Sequence, residues 1–304
     1  MKKILVPVDF SEVSEAAVEF AIQLAERNGA SVHLLNSAKI DYFNDYQYPA
    51  FTNTKKLYEE VYEAMNQRME RMVSEFQSDQ VPVTGKVSEL GLIVAIKDEI
   101  DDEGVDLCVV GTTGCSGLEE VFIGSNTERI VRQVPCPVIS VPHPVEDSSI
   151  QKVMIPIDLR EIRKSFLHEV ANLQKNLGCE LEFVWVKTPH NIENEEKVGE
   201  ELRKIFNASG LVDYKLFIIN SVFPSDGILM EVEDSKADMI AMATHARRGL
   251  SHWFSGSLTE DTVNHVQVPV WSFKIDKNEK PLKLDAVTHA EGKAEYLKIE
   301  HLVY

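Results

Sequence analysis

The chain repeats itself. Lys3-Ile4-Leu5-Val6-Pro7-Val8-Asp9 returns as Lys152-Val153-Met154-Ile155-Pro156-Ile157-Asp158. Each is a short, branched, apolar run of strand length that ends in Pro-x-Asp. The next segments repeat too. Helical periodicity over residues 14–25, with Ala17, Phe20, Ala21 and Leu24 on one face, is matched over 165–177. Strands over 31–35, 81–87 and 107–110 have counterparts over 181–186, 215–219 and 237–242. Helices over 55–76 and 90–100 are matched by 194–206 and 227–235, and a last strand over 135–141 by 268–273. A duplicated run of alternating strands and helices predicts two tandem α/β domains. Each would be a doubly wound parallel sheet with helices on both faces. The expected division is 1–143, a short acidic linker over 143–149, a second domain over 150–275, and an extension over 276–304. In such sheets ligands sit at the carboxyl ends of the strands, where the strand order reverses. Asp9 and Gly111 close strands one and four, so both belong at that crevice.

The bulk properties exclude several functions. A net charge of −18 over 304 residues argues against a nucleic-acid or anionic-membrane partner. No run approaches the roughly 18 apolar residues of a membrane span. The chain enters its first strand at once, so no cleavable leader is expected. Cys108, Cys115, Cys136 and Cys179 form no C-x-x-C pair and no metal spacing. A reducing cytoplasm is the expected setting, with Cys108 a buried strand thiol.

Chemistry concentrates between Val109 and Arg132. An apolar strand runs into Gly111-Thr112-Thr113-Gly114, a loop comes next, and Gly124-Ser125 opens a helix. Glycines let backbone N–H groups approach a ligand closely, and the free N–H groups and dipole of a helix start attract an anion. Strand, glycine loop and helix start together form a phosphate cradle. Neither G-x-G-x-x-G in this loop nor a Gly-Lys-[Ser/Thr] P-loop anywhere is present.

The spacing of Gly111, Gly114 and Gly124-Ser125 resembles the G-x-x-G, nine residues, G-[ST] signature of the universal stress protein family, and the resemblance extends to about Lys274. It implies an adenine nucleotide α-hydrolase-like fold with strand order 3-2-1-4-5 and domain pairing through the fifth strands, with a homodimer as a further arrangement. It implies ATP as ligand, with or without Mg2+. Phosphate oxygens would lie at Gly114, Gly124, Ser125 and Thr127, with Asn126 and Thr113 beside them. The nucleoside would lie against Pro7, Val8, Asp9, Ser37, Val110 and Gly111. Ser37 and Thr113 depart from the family, which often has an apolar residue and a histidine there. The second copy departs further. Ala243 and Ala246 replace two glycines, although His245, Gly256, Ser257 and Thr259 remain. A methyl where positive φ is needed costs on the order of 1 kcal/mol, so one ATP per chain, in the first half, is expected.

Several residues have structural readings beside these. Asp9 with Glu12, Ser125 with Glu128, and Ser257 with Glu260 each fit a capping box. No Ser/His/Asp set or carboxylate pair converges by motif, so a sensor or binding module is preferred. A slow ATP hydrolase and a ligand-free scaffold are the alternatives. The aromatic stretch over 41–53 reads as a loop packed on its own domain, with a lid as its alternative, and the apolar end over 296–304 as a docked segment.

Overall fold

The computed structural model describes residues 1–38, 54–112, 125–142, 149–245, 266, 268–276 and 278–285. The aromatic stretch over 41–53 and the apolar end over 296–304 lie outside these. The first half runs β1 (Lys3–Pro7), α1 (Glu12–Asn28), β2 (Ser31–Ser37), α2 (Thr54–Phe76), β3 (Val83–Ser88), α3 (Leu92–Glu103), β4 (Leu107–Gly111), α4 (Ser125–Gln133) and β5 (Val138–Val141). The second runs β6 (Lys152–Pro156), α5 (Lys164–Leu177), β7 (Glu180–Lys187), α6 (Glu195–Ala208), β8 (Tyr214–Asn220), α7 (Pro224–Ser235), β9 (Met239–His245) and β10 (Val270–Ile275).

All ten strands join one sheet in the order β3-β2-β1-β4-β5-β10-β9-β6-β7-β8. Each half shows the expected order 3-2-1-4-5. The halves meet where β5 and β10 pair antiparallel, with Trp271 opposite Ile139. Pairing within each half is parallel. The apolar fifth strands thus cover each other's edges, which otherwise would invite association.

Burial follows the two-residue period of a strand. Ile4 and Val6 point into one core with Phe20 and Leu24 of α1, while Leu5 points into another with Ile96 of α3 and Ile130 of α4. The first of these cores continues unbroken into the second half, through Trp271, Phe166 and Phe183. On the opposite face each half keeps its own cluster. Cys108 is fully buried, and burial pushes its thiol well above the ordinary value.

Helix ends largely follow local chemistry. α1 and α5 both stop at a left-handed glycine, Gly29 and Gly178, at equivalent places in the repeat. α7 starts earlier than expected because Pro224 occupies its first turn, where a missing N–H costs nothing. Two expected capping boxes are not formed. Ser11, not Asp9, caps α1, in a reciprocal box with Ser14. Ser125 is already helical, and Glu128 pairs with Arg132 at 2.9 Å. The box at Ser257 and Glu260 lies outside the described residues.

Candidate functional site

β1 and β4 are adjacent, and the helices α1 and α4 pack on opposite faces of the sheet. A cavity of about 500 Å3 opens there. Its wall brings together Pro7, Val8 and Asp9 from the end of β1, Ser37 from β2, Val110 and Gly111 from β4, and Ser125, Asn126 and Thr127 from α4. Every described residue of the expected site is in this wall. Thr113, Gly114 and Gly124 lie outside the described residues.

Asp9 is positioned by a bend. Phe10 takes a left-handed φ of 62°, an uncommon conformation for a residue with a side chain. The bend brings Ser11 back onto Asp9, whose Oδ1 accepts the Ser11 N–H at 3.0 Å and the Ser11 hydroxyl at 2.5 Å. Partial burial pushes the Asp9 carboxyl up, but the Ser11 hydrogen bonds outweigh this and hold it below the usual carboxylate value. Asp9 is therefore an ionised acceptor at neutral pH.

Gly111 has a different reason from the one its motif implied. It closes β4 without positive φ. A Cβ there would stand 2.4 Å from the Val13 carbonyl oxygen and 2.8 Å from Val13 Cγ1. Glycine lets the end of β4 pass under the first turn of α1. Thr127 likewise supports the frame. It is buried, and its hydroxyl donates to the Gly111 carbonyl at 3.0 Å, tying α4 to β4. The Ser37 hydroxyl donates to the Leu90 carbonyl at 2.7 Å. Exposed Ser125 and Asn126 then open α4 toward the cavity, where the N–H groups of a first helical turn have no intrahelical partner.

Sequence reasoning missed Ser11, Ser14 and Asn36, which also line the cavity. Buried Asn36 donates from Nδ2 to the Val8 carbonyl at 2.8 Å, fixing the bend after β1. Its signal in the sequence was weak: it follows the apolar pair Leu34-Leu35 and precedes Ser37. The cavity suits an elongated ligand with an anionic end at α4 and hydrogen-bond donors at Asp9. Among the described residues no group of three or more His, Cys, Asp or Glu is placed to hold a metal ion, so a metal accompanying the ligand would find Asp9 as its described carboxylate here.

The second half is built differently at the same places. The repeat puts Glu161 opposite Glu12, yet α5 starts only at Lys164. Ile162, the counterpart of Val13, lines a small cavity together with Ala243. The methyl that Gly111 cannot carry thus has room at Ala243. The start of α5 is instead held from outside. Glu279 accepts the Ser165 N–H at 2.9 Å and also the Ser165 hydroxyl, and the Leu282 N–H donates to the Ile162 carbonyl at 2.8 Å. Ala246, Gly256, Ser257 and Thr259 lie outside the described residues.

The sequence profile of the universal stress protein family matches the chain twice, over residues 1–142 and 149–274. A universal stress protein of Methanocaldococcus jannaschii is 28% identical over 146 residues, which is 48% of this chain and 85% of that protein. One from Synechocystis is 19% identical over 299 residues, covering 90% of this chain and all of its own length. The crystal structure of a universal stress protein from Archaeoglobus fulgidus has the same fold, with a TM-score of 0.64 at 18% identity, covering 90% of this chain and 98% of that one.

Proposed function

This chain belongs to the universal stress protein family, and on that footing we propose that it is a binding module whose first half takes one ATP across the ends of β1 and β4. The observation that carries the proposal is convergence. Residues from four separated stretches of sequence, chosen for a nucleotide, meet in one cavity of about 500 Å3, a volume typical of small-molecule sites.

The geometry supports the following roles. Asp9, ionised and oriented by Ser11, accepts hydrogen bonds from ribose hydroxyls. Val8, Val110 and the main chain at Gly111 form the wall against the base. The first turn of α4, with Ser125 and Asn126, receives the phosphates, and the family signature adds Gly114 and Gly124, which lie outside the described residues. Binding and release, rather than turnover, would carry the signal. Residues 1–143 form the nucleotide domain, 150–275 the partner domain with the degenerate loop, and 276–304 the extension. Among the described residues no helix is long and apolar enough to cross a membrane, and the proposed setting is the cytoplasm.

Titration calorimetry of the intact chain with ATP tests this. One site per chain is expected. Asp9→Ala removes a charge-assisted hydrogen bond of about 1.5–3 kcal/mol, so affinity should fall about 10- to 100-fold. Gly124→Val with Ser125→Ala should abolish binding. Two equal sites, or ATP binding unchanged by both variants, would overturn the assignment. Release of ADP at a steady rate would favour the hydrolase instead.

A further inference from the structure

The second half has its own cavity, about 420 Å3, at the ends of β6 and β7 and the start of α7. We infer that it binds a small organic ammonium ion, a ligand class distinct from the nucleotide proposed for the first half and independent of that reading. The inference starts from Glu193. This residue sits in the loop between β7 and α6, folded back by Asn191, whose side-chain oxygen accepts the Thr188 N–H at 2.8 Å and the Thr188 hydroxyl at 2.9 Å. The fold places Glu193 in the cavity wall with only 6% of its surface exposed.

One oxygen of Glu193, Oε2, is buried and has no hydrogen-bond donor among the described residues. The other, Oε1, forms an ion pair with Arg160 Nη2 at 3.9 Å, too long for a hydrogen bond. A buried carboxylate oxygen left without a donor is costly. A ligand that brings an ammonium to this carboxylate offsets that cost.

The rest of the wall narrows the class. Asp158 is a second carboxylate, and Thr188 and Ser225 offer hydroxyl oxygens. Arg160 is the one cationic side chain among the lining residues, and its side chain is 59% exposed. Lys187, at the end of β7, is held by Glu195 at 2.6 Å. An anion entering here would meet two carboxylates. An inorganic divalent cation needs about six or more oxygens packed around it, and no cluster of three metal-ligating acidic, His or Cys groups exists among the described residues. The volume is also far larger than a bare ion fills. A donor-rich organic cation, its ammonium against the Glu193 carboxylate and its carbon body against Ile157 and Ile228, satisfies charge and size together.

The probe is 1,4-diaminobutane, titrated calorimetrically into the full chain at low ionic strength, with 1,4-butanediol as the neutral equivalent. Saturable binding of the diamine at one site is expected, and none of the diol. Glu193→Gln keeps the shape and removes the charge; it should weaken binding at least tenfold with an unchanged melting temperature. Ser225→Phe, which fills the cavity and leaves Glu193 intact, should do the same if Glu193→Gln folds poorly. Asp9→Ala, in the other cavity, should leave diamine binding as it is. Absence of saturable binding, equal binding of the diol, or full diamine binding by both cavity variants would overturn the inference. The last result would mean that the amine merely condenses on an acidic surface. Failure of ATP to bind the first half would leave this outcome untouched.

Discussion

At the scale of single residues, Gly111 is the position where the motif and the fold make separate demands. Its missing methyl is required by the Val13 carbonyl 2.4 Å away from any Cβ, before any ligand is considered. Gly111→Ala should therefore cost about 1–3 kcal/mol through overpacking and lower the melting temperature by several degrees, in the absence of nucleotide. Ala243→Gly, where the methyl has room, should shift it far less. Equal shifts in a calorimetric melt would show that the two strand ends are packed alike. His33 gives a second test. Its Nδ1 lies 2.8 Å from Thr84 Oγ1, and its Nε2 lies 3.1 Å from Glu99, which also binds Lys86. Burial pushes the imidazole below its ordinary value, outweighing the pull of Glu99 and Glu103, while Lys3 and Lys86 add to the depression. The unfolded chain then takes up the proton first as pH falls through about 6.5. Stability present above that pH is lost below it. Urea midpoints between about pH 5.5 and 7.5 should fall more steeply for the native chain than for His33→Gln; parallel curves would refute a role for this histidine.

At the scale of elements, the start of α5 shows what a repeat can and cannot transmit. α1 caps itself through Ser11 and Ser14. α5 has Arg163 at the capping position with no side-chain capping bond, and Ser165 in its first turn borrows Glu279 from 114 residues further on. Glu279→Ala should remove about 0.5–2 kcal/mol, the usual worth of a cap, as a lower urea midpoint with an unchanged slope. A midpoint that does not move would make the contact incidental. The strands were legible because burial on both faces demands continuous branched apolar runs such as Ile4-Leu5-Val6. Asp9 and Ser11 were harder, because Asp-x-x-Glu and Ser-x-x-Ser both satisfy a capping pattern and only the left-handed turn at Phe10 selects the second. The contact of Glu279 and Leu282 carries no periodicity, since isolated residues in a polar spacer leave no pattern to read. Glu193 was invisible for a similar reason: a single acidic residue in a loop reads as solvated until the fold closes over it.

At the scale of the whole molecule, the junction of β5 and β10 is the feature that makes two domains one body. Its residues, Val138–Val141 and Val270–Ile275, are buried or nearly so, and Trp271 packs at 6.1 Å from both Phe166 and Phe273. Residues 1–142 expressed alone would expose the β5 edge, and an apolar edge of this kind recruits another strand. The fragment should form a twofold dimer through β5, at a mass of two copies by light scattering. A stable monomer would show that the edge is protected some other way.

The same junction fixes directions. Strands within a half run parallel, and the halves meet antiparallel, so the carboxyl ends of β1 and β4 point opposite to those of β6 and β9. The two cavities therefore open at opposite margins of the sheet. Occupants of the two mouths never meet, and neither can sterically hinder the other. A macromolecule large enough to touch one mouth leaves the other facing away, available to a different visitor. The two cavities are in this sense back to back, carried at opposite margins of one continuous sheet.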